Sequence, residues 1–228
     1  MIYIAYIFRV YFIITFILSF LSLSMVGEIF YSIVKKKEYQ QIMKQMIGNS
    51  KSIIDVSCGE DNFIFDLGKE LGLNLVVGND ISWSQIEMLD DKYDDVIFTN
   101  HNAASLPFKE KIFDIAYCSN TLHHMPNKKS LVNMLENMSK VATKIIITEI
   151  ENPEITGGFP KWLNKNWYIG YLKDVGGAYL SESQFKIIIN DTFKSHFKIE
   201  YKTFKNIMGT YLIAEITRKG GRKNGKKD

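Results

Sequence analysis

Short apolar runs alternate with helical patterns along the chain from residue 36 onward. The runs are rich in Ile, Val and Phe and are apolar at consecutive positions, as strands covered on both faces require. Strands that alternate with helices form a parallel sheet with helices packed on it. The predicted strands of this part are Ser52–Val56, Asn74–Asp80, Asp95–Thr99, Ile112–Ser119 and Thr143–Glu149.

Apolar residues recur at helical spacing between these strands. The last third of the chain adds a helix at 182–191 and two strands, 198–204 and 211–217. The short turn between these two strands makes them antiparallel, because a parallel pair needs a long crossover. We therefore predict an α/β fold with a doubly wound sheet of seven strands, mostly parallel with the last strand antiparallel. The other predicted helices are Lys36–Met46, Asn62–Leu71, Ser84–Asp90 and Lys129–Lys140.

The N-terminal segment is almost entirely apolar. Residues 1–27 carry a single charge, Arg9, and three lysines follow at 35–37. This length is at the lower limit for a helix that crosses a membrane, and the lysines would hold the downstream part in the cytoplasm. We predict an apolar N-terminal helix that anchors a cytoplasmic domain to the membrane. Two alternatives stay open: a cleaved signal peptide, and a translation start at Met25 that omits the segment.

Composition limits the class of protein. The chain has 228 residues, of which 46% are apolar and 23% charged, enough for one globular domain. The net charge of +3 lies mainly in the tail at 218–228, which we predict to be disordered. The near-neutral remainder argues against an enzyme that grips nucleic acid through a broad basic face. Cys58 and Cys118 lie in strand-like surroundings, which favours a reduced setting over a disulfide framework.

Polar residues follow the predicted strands at the edge where ligands bind in an open α/β sheet. Asp55, Ser57 and Gly59 follow the first strand, and Asp80 follows the second. An acidic residue about 20 positions beyond a glycine turn is placed to accept hydrogen bonds from a ribose diol. Each residue alone is equally well explained as part of a turn. Their joint order indicates a nucleotide-like ligand.

Acidic residues at the turn discriminate between such ligands. Glu60 and Asp61 stand where the next helix begins, so they would repel the pyrophosphate of NAD or FAD. S-adenosylmethionine has an adenosine, an amino-acid end and a positive sulfonium. That ligand tolerates acids at the turn and still needs a carboxylate for its ribose, so it is the predicted cofactor.

The chain resembles class I S-adenosylmethionine-dependent methyltransferases of the group that acts on small molecules. The resemblance runs from about residue 36 to 217, which is the predicted methyltransferase domain. It implies a Rossmann-like sheet, and it implies cofactor contacts by Asp55, Ser57 and Gly59 at the methionine end, Asp80 at the ribose, Asn102 and Ala103 at the adenine, and Asn120 near the sulfonium. The segments that carry it are IIDVSCGEDN, VVGNDIS, HNAASLPF, KIFDIAYCSNTLHHM and KIIITEIENP.

Three positions depart from the family pattern. The turn at 57–61 has fewer glycines than usual, Asn102 stands where Asp is more frequent, and residues 142–144 replace a glycine pair. The first departure has the largest consequence, because the side chain of Asp61 stands where backbone usually approaches the ligand.

Methyl transfer needs little protein chemistry beyond orientation in a dry pocket. An oxygen or nitrogen nucleophile can need a base, and His123 and His124, beyond the fourth strand, are the predicted catalytic residues. A capping or packing role is their alternative explanation. Glu149 and Glu151 are weaker candidates for the base. The four histidines show no metal-ligand spacing with Cys or Glu, so no metal is predicted.

A Gly- and aromatic-rich connection at 152–180 follows the fifth strand. It suits a mobile lid over the substrate, although its rings could equally serve to pack the domain. Together with the apolar N-terminus it favours a lipid-like or isoprenoid-tailed acceptor at a membrane surface, so the predicted function is methyl transfer to a small-molecule or lipid-like acceptor. Two other functions stay open: a methyltransferase-like binding module without turnover, and a nicotinamide-dependent enzyme. The aromatic residues of the connection are Phe159, Trp162, Trp167, Tyr168, Tyr171 and Tyr179.

Overall fold

The computed structural model describes residues 37–61, 63–163, 165–166, 178–206 and 209–219. The predicted anchor, the tail from residue 220 onward and the rings of Trp167, Tyr168 and Tyr171 lie outside these residues. No helix within the described part of the chain is long and apolar enough to cross a membrane. The chain divides into two compact units, Met1–Gln40 and Gln41–Asp228.

A single sheet of seven strands organises the described domain, in the order β3-β2-β1-β4-β5-β7-β6. The first five strands are mutually parallel, and β7 runs antiparallel to both of its neighbours, β5 and β6. The predicted sheet and its antiparallel last strand are therefore confirmed. The strands are β1 (Ser52–Asp55), β2 (Leu75–Asn79), β3 (Ile97–Thr99), β4 (Phe113–Ser119), β5 (Ala142–Ile150), β6 (Phe197–Asn206) and β7 (Gly209–Arg218).

The predicted helices also form, with bounds that shift by one or two residues. Two short helices lie in the connection after β5, and Arg218, which the sequence placed in the tail, is the last residue of β7. The helices are α1 (Lys37–Ile47), α2 (Phe63–Leu71), α3 (Trp83–Asp90), α4 (Lys128–Val141), α5 (Pro153–Thr156), α6 (Gly158–Leu163) and α7 (Glu182–Phe193).

The central strands are buried on both faces, as consecutive apolar residues require. Close packing of β2 depends on Gly78, because a Cβ there would lie 2.7 Å from the ring of Phe98 on β3 and 2.8 Å from that of Phe65 on α2. The two rings meet edge to face with centroids 5.4 Å apart. The packing of these two rings over Gly78 fixes the position of β2 in the sheet, and therefore the position of the residues that follow β2.

A carboxylate, that of Asp114, links two strands at the amino edge of the sheet; we call this link the Asp114 anchor. Asp114 Oδ2 accepts hydrogen bonds from the backbone N–H groups of Lys51 at 2.6 Å and Ser52 at 3.1 Å. The hydroxyl of Ser52 accepts in return from Asp114 N at 2.8 Å. These bonds tie β1 to β4 at the end of the sheet opposite the predicted ligand edge.

Candidate functional site

The strand order reverses between β1 and β4, so the carboxyl ends of β1, β2 and β4 open onto one crevice. Strand β1 ends at this crevice with Asp55, whose Oδ1 accepts from Ser57 N in the turn that follows, at 3.1 Å. Gly59 has a φ of +52°, a left-handed conformation that favours glycine. The structure thus gives the predicted turn residues a defined shape at the predicted edge.

Asp80 joins this turn to the end of β2. Its Oδ2 accepts from Gly59 N and its Oδ1 from Ser82 N, both at 2.9 Å. A carboxylate offers about four lone-pair positions, so each oxygen keeps one for a further donor. The residue is 8% exposed, so its side chain has little room to move. Asp80 therefore fits a ligand that presents two neighbouring hydroxyl groups.

Asn79 is a residue that the sequence reasoning missed. Its buried amide Nδ2 donates to the carbonyls of Val56 and His101, both at 3.0 Å. Its Oδ1 accepts from His101 N at 3.1 Å and from the hydroxyl of Thr99 at 3.0 Å. One side chain thereby links the loops that follow β1, β2 and β3. A polar residue that ends an otherwise apolar strand was the available signal.

Negative charge is concentrated at the turn. Burial raises the pKa of Asp55 well above its ordinary value, and the nearby carboxylates of Asp61 and Asp80 raise it further against the opposing bond from Ser57 N. Neither Asp55 nor Asp80 forms an ion pair with any described residue. The site therefore favours a positively charged ligand.

Asp61 has a structural task at the start of α2. Its Oδ1 accepts from Phe63 N at 2.8 Å, which satisfies one of the free N–H groups of the first helical turn. Asp61, which stands where the family pattern has a glycine, therefore directs this oxygen to the first turn of α2.

The predicted adenine-side residues follow β3. Asn102 is exposed, and its Oδ1 accepts from Ala104 N at 2.8 Å at the start of a short 3-10 turn. Ala103, the next residue, is buried. The Nδ2 of Asn100 donates to the carbonyl of Asp80 at 2.9 Å, which connects this loop to the turn after β2.

Asn120 directly follows β4 in a left-handed conformation with a φ of +46°. Its backbone N–H donates to Thr148 at 2.9 Å, and its side-chain Oδ1 accepts from Ile150 N at 3.2 Å. The residue predicted to lie near the sulfonium therefore joins the ends of β4 and β5. Its side-chain oxygen keeps one acceptor position for another donor.

The two predicted histidines lie in different surroundings. His123 is 3% exposed, and its Nδ1 lies 2.6 Å from Oε1 of the fully buried Glu149. His124 is exposed, and the two imidazole rings are 4.1 Å apart between centroids. The other oxygen of Glu149, Oε2, accepts from Leu122 N at 2.7 Å. The structure thus pairs one of the two histidines with a buried carboxylate.

The end of the aromatic connection returns to His123. The ring of Tyr179 stacks on that of His123 with centroids 4.6 Å apart and planes inclined by 20°. Ala178 N donates to the carbonyl of His123 at 3.1 Å. Earlier in the connection, Phe159 and Trp162 stack at 5.8 Å and are 39% and 58% exposed. Part of the connection therefore packs against the histidine while another part presents aromatic rings to solvent.

Among the described residues, no group of three or more His, Cys, Asp or Glu side chains is arranged to hold a metal ion. Burial raises the pKa of both cysteine thiols, Cys58 and Cys118, and each is free of a disulfide. A buried thiol with a raised pKa is a weak nucleophile at neutral pH, so the chemistry of this edge rests on its carboxylates and histidines.

Comparison with known sequences finds similarity to methyltransferases. A family profile described as a methyltransferase domain matches residues 53–144. A demethylmenaquinone methyltransferase from Lactiplantibacillus plantarum is 26% identical over 137 residues, or 57% of this chain and 56% of that protein. The chain spans about half the length of the curated relatives it matches, with coverage of 56%, 49% and 44% for three of them.

Solved structures share the fold. Magnesium protoporphyrin IX methyltransferase from Synechocystis, solved with bound SAH, superposes with a TM-score of 0.56 at 21% identity, over 79% of this chain and 84% of that one. The methyltransferase domain of a bacterial Hen1 protein gives a TM-score of 0.62 at 14% identity, over 80% of this chain and 96% of that one. At these identities the similarity establishes the architecture.

Proposed function

We propose that this chain, which carries a methyltransferase domain within the class I methyltransferase fold, transfers a methyl group from S-adenosylmethionine to a small-molecule or lipid-like acceptor. When bound, this cofactor supplies a methyl group on a sulfonium centre, and the acceptor takes the methyl while the sulfur keeps the bonding electron pair. The protein supplies the ribose carboxylate, a negatively charged turn and a base near the acceptor.

The geometry of Asp80 carries the proposal. Both of its oxygens are fixed by backbone donors, from Gly59 on one side and Ser82 on the other, so the carboxylate is oriented before a ligand arrives. The remaining lone pairs can accept hydrogen bonds from the two hydroxyl groups of a diol such as that of a ribose. A carboxylate that is already oriented loses less conformational entropy when the ligand binds.

The charge of the turn supports S-adenosylmethionine over a dinucleotide. Burial raises the pKa of Asp55, and its acidic neighbours Asp61 and Asp80 raise it further, so a cation placed there would favour the charged carboxylate. A pyrophosphate would add negative charge at the same point. We therefore assign the methionine end to Asp55, Ser57 and Gly59.

The remaining cofactor contacts are proposed from position. Asn102 and Ala103 follow β3 beside the Asn79 network, where the adenine would lie, and Asn120 follows β4, where the sulfonium would lie. For the base we favour His123 over His124, because only His123 is held by a buried carboxylate.

The acceptor is proposed to be small and largely apolar. Ile155, Phe159 and Trp162 lie in the connection after β5 and expose 57%, 39% and 58% of their surface. Exposed apolar side chains near a substrate edge suit an acceptor with an apolar body. The similarity to a demethylmenaquinone methyltransferase points the same way.

Calorimetric titration of S-adenosylmethionine tests the cofactor assignment. We expect saturable binding that weakens at least about tenfold in Asp80→Asn, since the amide replaces one acceptor oxygen by a donor group. Asp114→Asn is the matched control, because Asp114 also accepts two backbone N–H bonds but at the opposite edge. NAD should give no heat.

Two outcomes would contradict the proposal. If the folded protein binds neither S-adenosylmethionine nor SAH, the result favours a binding module for another ligand. Saturable binding of NAD instead would favour a nicotinamide-dependent enzyme.

A further inference from the structure

Glu149 and His123 form a buried pair that methyl transfer to a preformed anion would not need. Nδ1 of His123 and Oε1 of Glu149 are 2.6 Å apart, and both side chains are almost completely buried. Burying a carboxylate costs free energy unless it is paired and hydrogen-bonded. The pair lies at the carboxyl end of β5, beside the crevice of the proposed cofactor site.

We infer that Glu149 is a positioning residue that fixes the tautomer of His123, and that the methylated group of the acceptor is a hydroxyl whose proton passes to His123 Nε2. The inference rests on the proposed function and deepens it by naming the acceptor chemistry. A carboxylate only accepts hydrogen bonds, so its partner Nδ1 must carry a proton. In a neutral imidazole the lone pair then lies on Nε2, the nitrogen left for the substrate.

The orientation of Glu149 is set by the backbone. Its Oε2 accepts from Leu122 N at 2.7 Å, one residue before the histidine, so Glu149 on β5 is also bonded to the backbone of the turn that carries His123. The ring of His123 is held on one face by Tyr179, with centroids 4.6 Å apart. These contacts leave the imidazole little rotational freedom, which is the condition for a general base that acts at a defined atom.

The proton balance follows from this arrangement. As the bond between the acceptor oxygen and the methyl carbon would form, the bond from that carbon to the sulfonium sulfur would break and leave its electron pair on sulfur. The hydroxyl proton would then pass to Nε2 of His123, and the imidazole would become a cation. Glu149 stabilises that cation at 2.6 Å from Nδ1. The proton then leaves to solvent after the methyl ether is released. An acceptor that is already ionised needs none of these steps.

The substitution Glu149→Gln gives an unambiguous test, because the N–H of Leu122 is a fixed donor. The amide oxygen must face that N–H, which turns the amide NH₂ toward Nδ1 of His123. Nδ1 then has to accept, so the imidazole proton moves to Nε2. The variant is isosteric with the natural residue and reverses the tautomer while keeping both hydrogen bonds.

Nitrogen-15 NMR of the full chain reads the tautomer directly, with His123→Gln to assign the signals. We expect a protonated Nδ1 and an unprotonated Nε2 in the natural protein, and the reverse in Glu149→Gln. Glu215→Gln, a partly buried carboxylate on β7 that pairs with Lys144, is the control and should leave the His123 signals unchanged. A protonated Nε2 in the natural protein, or no change in Glu149→Gln, overturns the inference.

A series of phenols of decreasing pKa tests the acceptor class. Glu149→Gln should lower kcat by about 100-fold for the least acidic phenols, the usual contribution of a general base. The loss should vanish for phenols that are ionised at the assay pH. An equal loss across the series would mean that Glu149 only supports the fold and would overturn its positioning role.

Cofactor binding separates this inference from the proposed function. Calorimetry should give the same affinity for S-adenosylmethionine in the natural protein and in Glu149→Gln. A natural protein that does not bind the cofactor contradicts the proposed function, whatever the tautomer. A protein that binds it but methylates no hydroxyl in the series overturns the acceptor class alone.

Discussion

Asp55 shows how a single ionisable residue couples this fold to pH. Burial and the neighbouring carboxylates raise its pKa above the ordinary value. Between the ordinary and the raised pKa the folded chain binds more protons than the unfolded chain. The free energy of unfolding therefore falls as the pH rises through that window and is level above it, with respect to this residue.

Replacement of Asp55 by Asn removes the titrating group and keeps an acceptor for Ser57 N. We expect Asp55→Asn to be more stable than the natural protein at neutral pH and to lose that advantage as the pH falls toward the ordinary carboxyl pKa. Urea denaturation at a series of pH values gives the comparison. A constant difference at all pH values would show that Asp55 does not titrate as its burial requires.

At the same scale, some site residues are visible in the sequence and others are not. Asp55, Gly59 and Asp80 carry a spacing that indicates a ribose site on its own. Asn79 has only a weak signal, a polar residue at the end of an apolar strand, which is common in sheets. Glu149 is a weak candidate for the base in the sequence, where nothing connects it to His123. Their roles depend on partners 20 or more residues away in the chain, such as His101 at 22 positions and His123 at 26.

At the scale of elements, the contact of β2 with its neighbours depends on the absence of a side chain. We expect Gly78→Ala to cost about 1–3 kcal/mol of unfolding free energy, because its Cβ would overlap the rings of Phe98 and Phe65. Thermal and urea denaturation measure the loss. In the background Phe98→Ala the same substitution should cost less, since one overlapping ring is gone. Equal costs in both backgrounds would rule out the overlap as the cause.

Helix α7 begins with a capping box. Ser181 accepts from Gln184 N, and the side chain of Gln184 accepts in return from Ser181 N. Ser181→Ala should lower the free energy of unfolding by about 1 kcal/mol, as the loss of an N-cap generally does. Ser139→Ala, at a partly exposed position in the last turn of α4, is the control and should change it by less than about 0.5 kcal/mol. Similar losses in the two variants would contradict the capping role.

At the scale of the whole molecule, the two edges of the sheet have separate roles. The carboxyl edge carries the proposed site and the amino edge carries the Asp114 anchor. S-adenosylmethionine should slow amide hydrogen exchange at 57–61, 80–82 and 101–105 and leave Lys51 and Ser52 unchanged. Exchange measured by mass spectrometry tests this. Protection spread evenly over both edges would argue for a general stabilisation without a local site.

The membrane anchor stays a prediction from sequence. Residues 1–27 carry one charge and reach the lower limit of a spanning length. We expect the full chain to fractionate with membranes and a chain that begins at Met25 to remain in the supernatant, as immunoblots of the two fractions would show. Equal recovery of both chains in the supernatant would end the anchor hypothesis.

The sequence by itself determined the sheet and most of the edge that carries the site. Apolar runs of strand length need cover on both faces, and their alternation with helices leaves a parallel sheet as the arrangement that provides it. The short connection between β6 and β7 required the antiparallel pair. Because ligands bind beyond the carboxyl ends of such strands, the order of Asp55, Gly59 and Asp80 also located the site.

Only the tertiary structure decided which polar side chains act together. It buried His123 against Glu149 and left His124 exposed, although the two histidines are adjacent in a loop with no pattern to separate them. It also turned Asp61 toward the first turn of α2. Such outcomes depend on distances between atoms that are far apart in the chain. The periodicity of apolar residues indicates only which face of an element is buried, so it cannot predict those distances.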